Sequence, residues 1–182
     1  CGSLDALDTG RSRSRLLWTL ARWQVDRRRS PGQADLFADR QRTPTAAELP
    51  DLPSADAVTR LRREFAVLGF LCRRHPITLF AEAIRTMNTV KADQLADRVG
   101  HQVRLAAWLV TGKVVHTRHG DPMEFLTFED DTGIVETTFF PGAYRRFCHM
   151  IDRNRPYLLA GKVEQNWGAV TLAVNRVERI NA

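Results

Sequence analysis

The run EFLTFEDDTGIVETTFFP, residues 124–141, reads as a β-hairpin. Met123–Phe128 and Ile134–Phe140 are rich in aromatic and β-branched residues, the types that fit a pleated, half-buried surface. Between them, Glu129-Asp130-Asp131-Thr132-Gly133 offers a glycine for a positive φ, and Asp and Thr side chains able to hydrogen-bond their own backbone. Upstream, Val103, Leu105, Ala107 and Leu109 alternate within a long strand, Gln102–Arg118, closed by the turn His119-Gly120-Asp121-Pro122. Gly112 inside that strand predicts a bulge or bend that lets one strand serve two sides of a sheet. Downstream, Pro141-Gly142 breaks the sheet, and Tyr144, Phe147, Cys148 and Ile151 recur at helical spacing over Ala143–Asp152. Tyr157–Glu164 and Ala169–Ile180 follow as two more strands joined by Asn166-Trp167-Gly168. Val103, Leu105, Val135, Leu159 and Val163 are the expected core.

Strand, strand, strand, helix, strand, strand is the element order of an OB-fold, a small barrel that commonly binds single-stranded nucleic acid. Another small β-barrel is the alternative. The expected class is α+β: an N-terminal helical segment and linker, then a five-stranded OB-fold β-barrel. Residues 11–29 predict a helix with Leu16, Leu17, Leu20 and Trp23 on one side. Its arginines (Arg11, Arg13, Arg15, Arg22, Arg27, Arg28 and Arg29) suit either phosphate contacts along duplex DNA or an ordinary solvated face. Residues 30–54 turn to Pro, Gly, Thr, Ala and Asp, a linker composition. Helical spacing resumes at Val58, Leu61, Phe65 and Leu68 and ends at Gly69, and Pro76 opens a further short helix.

Net charge is +6. Residues 101–182 hold 10 Lys and Arg against 9 Asp and Glu, so the barrel carries +1 and the first hundred residues +5. Nucleic-acid contact at the barrel must therefore rest on local placement and stacking rather than on a strongly basic clamp. Cys1, Cys72 and Cys148 show no paired spacing, which fits reduced thiols in a cytoplasm. No apolar run reaches the roughly 20 residues that span a bilayer, so no membrane partner is expected. Glu129-Asp130-Asp131 resembles a cluster of hard-cation ligands, but a hairpin turn uses the same residues without a metal. Cys72 and His75 lack a second ligand pair, and His75 before Pro76 suits a helix cap. No phosphate-binding, dinucleotide or nucleophile motif is present, so no catalytic residue, cofactor or metal is expected.

Several motifs resemble one family in its own order: Gly112-Lys113-Val114, Gly120-Asp121-Pro122-Met123, LTFEDDTGIVETTFFP, and LLAGKVE at 158–164. Together they resemble the OB domain of the bacterial DNA polymerase III alpha subunit. Leu68-Gly69-Phe70 with His75-Pro76-Ile77 resembles the segment before that barrel, and Cys1-Gly2-Ser3-Leu4-Asp5-Ala6-Leu7 the tail of the family's helix-hairpin-helix region. The resemblance implies four parts: 1–30, tail of the helix-hairpin-helix region; 31–55, linker; 56–100, helical connector; 101–182, OB-fold domain. It also implies that the chain is a fragment whose polymerase active site lies upstream. In the linker, Gln33-Ala34-Asp35-Leu36-Phe37 resembles a sliding-clamp-binding motif, with Leu36 and Phe37 as anchors and Gln33 and Asp35 completing it.

The implied function is an accessory segment of a replicative DNA polymerase that contacts single-stranded template and tethers to the bacterial sliding clamp among other replisome subunits. OB-folds bind through strands 2 and 3 and the loops joining strands 1–2 and 4–5. Lys113, His116, Arg118, Phe125, Lys162, Asn166 and Trp167 are the candidate nucleic-acid contacts. Trp167 at a turn tip is the leading stacking residue, and Phe125 rather than Phe128 is expected outside. The hairpin also resembles anticodon-binding barrels of aminoacyl-tRNA synthetases, but these place a base-reading Gln just past the turn, where this chain has Val135 and Glu136. A barrel that binds only protein is the third reading.

Overall fold

The computed structural model describes residues 13–29 and 55–181. Gln33, Asp35, Leu36 and Phe37 lie outside the described residues. Packing divides the chain into two compact units, Cys1–Gly69 and Phe70–Ala182. The boundary between the units falls after Gly69, within the stretch 56–100.

In the first unit, α1 spans Arg13–Arg29 and α2 spans Ala57–Leu68. The start of α2 follows from Asp56, whose carboxylate accepts from the Thr59 amide at 2.8 Å and the Thr59 hydroxyl at 2.6 Å. Gly69 ends it with φ 76°, its N–H donating to the Phe65 carbonyl, a left-handed cap that a side chain would strain.

In the second unit, β1 (Gln102–His116), β2 (Pro122–Glu129), β3 (Ile134–Phe139), β4 (Pro156–Asn166) and β5 (Ala169–Arg179) close in the order β1-β2-β3-β5-β4. All neighbours are antiparallel except β3 and β5, whose parallel pairing closes the barrel. With a helix between β3 and β4, this is an OB-fold. Val103, Leu105, Val135, Leu159 and Val163 are all buried, joined by Phe128, Phe139, Tyr157 and Leu172. The buried Thr137 hydroxyl donates to the Leu126 carbonyl at 2.7 Å, so no polar group is stranded there.

β1 does serve two sides, pairing with β4 through 102–108 and with β2 through 108–116. The irregularity falls between Leu109 and Thr111, however, not at Gly112. Gly112 meets a packing demand instead: a Cβ there would overlap the Leu126 side chain. Gly133 likewise does not take a positive φ. The hairpin turn is held by Asp130, whose Oδ1 accepts from the Thr132 amide (2.7 Å), the Thr132 hydroxyl (2.6 Å) and the Gly133 amide (3.1 Å). Its Oδ2 accepts from the Ala92 amide at 2.9 Å, strapping the segment before β1 to the hairpin.

The helix after β3, α4, runs Pro141–Phe147 and continues as a 3-10 turn, Cys148–Met150, earlier than the expected 143–152. Pro141 occupies the first turn, where its missing N–H costs nothing, so the residue read as a breaker is a starter. The Tyr157 hydroxyl accepts from the Asp152 amide (2.8 Å) and donates to the Met150 carbonyl (3.2 Å), while Trp108 Nε1 donates to the Arg153 carbonyl at 2.8 Å. Two buried aromatics thereby anchor the loop into β4.

Before the barrel, a 3-10 helix (Pro76–Phe80) leads into α3 (Ala81–Arg85). His75 caps it, Nδ1 accepting from the Ile77 amide at 3.1 Å. Its Nε2 lies 3.1 Å from Glu129 Oε1. Ile77 packs with Ala106, Leu158 and Ile180 on the outside of β1 and β4, with Phe80 and Ile84 beside them. This covers part of the β1–β4 wall.

Candidate nucleic-acid interface

Alternation along β2 sends Leu126 and Phe128 into the core and Phe125 outward, 43% exposed where Phe128 is fully buried. Register then sets Lys113 of β1 directly opposite Phe125, and Phe125 opposite Thr138 of β3. A cationic side chain and a flat apolar ring thus stand side by side on the outer face, the pairing that contacts a phosphate and a base together. The next row holds Thr111, Thr127 and Glu136, and the Thr127 hydroxyl donates to Glu136 Oε1 at 2.9 Å. Glu136 is therefore an exposed anion on this face, while Val135 points into the core.

The β1–β2 loop is organised by Thr117. Its amide donates to the Asp121 carbonyl and its carbonyl accepts from the Gly120 amide, both at 2.9 Å. Its hydroxyl accepts from the amides of His119 (3.3 Å) and Asp121 (3.2 Å). These bonds leave His116, Arg118 and His119 exposed around a fixed backbone. Arg145 of α4 reaches Asp121 at 3.5 Å, tying the helix to the loop.

The β4–β5 turn is Trp167-Gly168, with φ 54° and 84°, the two left-handed residues of a type I′ hairpin. Gly168 suits that backbone; a bulky residue at Trp167 does not. Trp167 is fully exposed and packs into no core, so neither backbone preference nor burial accounts for it. Asn166, beside it, is also exposed.

Lys162 is exposed on β4, but pairs with Gln102 of β1 and Ala173 of β5. From Phe125 it is reached only across β3 and β5 or across β1, so it belongs to a different wall from the Lys113–Phe125 pair. Phe140, not singled out from sequence, is 49% exposed just after β3. It lies two residues beyond the outward Thr138, so the period-2 alternation of β3 was the signal that could have found it.

Two ionisable groups are perturbed nearby. The Lys91 ammonium, hydrogen-bonded to Asp131, holds the Asp131 carboxyl below its ordinary value. Burial, then the neighbouring Glu124 carboxylate, pushes the Cys148 thiol far up. Among the described residues no group of three His, Cys, Asp or Glu is placed to hold a metal, and none of their helices is long and apolar enough to cross a membrane.

Residues 105–180 match the family model of the OB-fold nucleic acid binding domain that carries the tRNA anti-codon label. The chain is 26% identical to the error-prone DNA polymerase of Symbiobacterium thermophilum over 99% of its own length and 18% of that protein's. It is 28% identical to the DNA polymerase III subunit alpha of Bacillus subtilis (80% of this chain, 13% of that one) and to that of Thermus aquaticus (88% and 14%). The chain therefore spans less than a fifth of the length of these relatives.

Proposed function

From its similarity to a segment of DNA polymerase III alpha subunits and error-prone DNA polymerases, we propose that this chain is an accessory part of such a polymerase in the bacterial cytoplasm. Its barrel guides single-stranded template, and catalysis belongs to a part of the enzyme outside it. Lys113 and Phe125 hold the strand on the β1–β2 face, while His116, Arg118, Asn166 and Trp167 meet it from the loops. Lys162 contributes from the far wall. The carrying observation is Trp167: a fully exposed indole on a left-handed turn backbone. Sparsely populated backbone persists at sites where it serves a function, and an exposed indole gives every base a face to stack on.

Titration with labelled single-stranded DNA tests this. Trp167→Ala is expected to weaken binding by about 1–3 kcal/mol. Unchanged titrations for Trp167→Ala and Arg118→Ala would indicate a barrel that binds protein instead. The tRNA reading has less support, because Val135 is buried and Glu136 presents a carboxylate already engaged by Thr127.

We further propose that Gln33, Asp35, Leu36 and Phe37 tether the polymerase to the sliding clamp, on the strength of the motif and its place between the helical and barrel segments. A short peptide contact gives modest affinity alone, and the rest of the replisome supplies avidity. Leu36→Ala with Phe37→Ala should abolish pull-down of the clamp while leaving melting temperature and DNA affinity unchanged. A fall of several degrees in melting temperature would make the pair a packing element.

A further inference from the structure

On the wall formed by β1, β4 and β5, register sets Arg104 opposite Ala160 and Ala160 opposite Arg176. Adjacent strands lie about 4.8 Å apart, which puts the two arginine Cα atoms about 10 Å apart. Only a methyl group rises between them, and the result is a shallow notch lined by Arg104, Leu158, Ala160, Arg176 and Glu178.

One step along, the register shift between Ala160 and Gly161 makes Asn175 the extra residue of β5. Its Nδ2 donates to Gln102 Oε1 of β1 at 3.4 Å. A β5 side chain thus meets a β1 side chain over the top of β4, so the longer Arg104 and Arg176 can close over one ligand in the notch. Arg176 Nε lies 2.7 Å from Glu178 Oε1, which orients its fork and leaves the outer nitrogens available. Among the described residues no carboxylate pairs with Arg104. Lys162 is exposed two residues along β4 from Ala160.

We propose that Arg104 and Arg176 form a second nucleic-acid contact that holds the phosphodiester backbone of duplex DNA without reading bases. Guanidinium forks match phosphate oxygens bidentately and are weakly hydrated, so they bind phosphate better than isolated ammonium groups. No outward aromatic stands among these residues, so nothing there stacks on an unpaired base, and the contact suits a duplex, whose bases are turned inward. It acts through charge and falls steeply with salt.

The test uses the whole chain and a short labelled DNA duplex titrated across a salt series. Arg104→Gln with Arg176→Gln should weaken duplex binding about tenfold and reduce the log–log salt slope by about 2, near 0.9 for each phosphate no longer neutralised. Arg104→Lys with Arg176→Lys should keep the slope. Arg104→Gln alone, which breaks no ion pair, should lower it by about 1 even if the double variant folds poorly. Trp167→Ala should leave duplex binding unchanged, so failure of the single-strand reading and failure of this one separate cleanly. A wild-type slope in the Gln variants, an equal fall for Arg60→Gln on α2, or loss of poly-glutamate binding with duplex binding intact would overturn the proposal.

Discussion

At the scale of single residues, Asp130 carries more structure than any other polar side chain of the hairpin. It is almost fully buried, yet both its oxygens are used, three donors from the turn on one and the Ala92 amide on the other. That arrangement explains why an acidic turn needs no cation: local donors satisfy the carboxylate. Asp130→Ala strands those donors and should cost about 2–3 kcal/mol in urea denaturation, since leaving buried partners unmatched costs more than the net worth of the bonds. Asp130→Asn keeps one acceptor oxygen and should cost clearly less. Equal losses for the two would mean that the carboxylate does not organise the turn. The residue types of this turn were legible in the sequence. That Gly133 does without a positive φ was not, because Asp130 imposes the turn while bonded to Ala92, in a segment far upstream.

At the scale of elements, the β4–β5 turn sets function against local stability. A type I′ turn favours Asn-Gly, and Trp167 occupies the place where Asn fits. Trp167→Asn should therefore raise stability by about 0.5–1 kcal/mol, the order of relieving a left-handed non-glycine residue. The same change should weaken single-stranded DNA binding as much as Trp167→Ala does. A Trp167→Asn protein that is no more stable would show that the indole is not strained, and would remove the main support for its role. The strand order and the helix between β3 and β4 could be read from periodicity and turn residues. Their ends shifted by a few residues, because Pro141 starts a helix as readily as it stops a strand. The bulge near Val110, just before the expected Gly112, is set by how β1 bends between β4 and β2.

At the scale of the whole barrel unit, the helical stretch before β1 is part of the barrel's packing. Ile77 is buried against Ala106, Leu158 and Ile180, and Phe80 meets Trp108 edge-on with ring centroids 6.0 Å apart. Ile77→Ala should lower the stability of the entire unit by about 2–4 kcal/mol, within the range for emptying a buried aliphatic site. Unfolding followed by far-UV circular dichroism should stay a single transition. A separate early transition, with the barrel midpoint unchanged, would show that the connector folds independently.

The sequence by itself determined the order of elements, the buried positions and the exposure of Phe125 and Trp167, because period-2 alternation and turn chemistry are local properties written at fixed spacing. Only the tertiary structure decided which exposed residues share a wall. Lys113 joins Phe125, whereas Lys162 stands with Arg104 and Arg176, because barrel closure through the parallel β3–β5 pair sets neighbours that lie far apart along the chain. Register across strands arises from the whole set of pairings and core contacts at once, and no single stretch of sequence contains it.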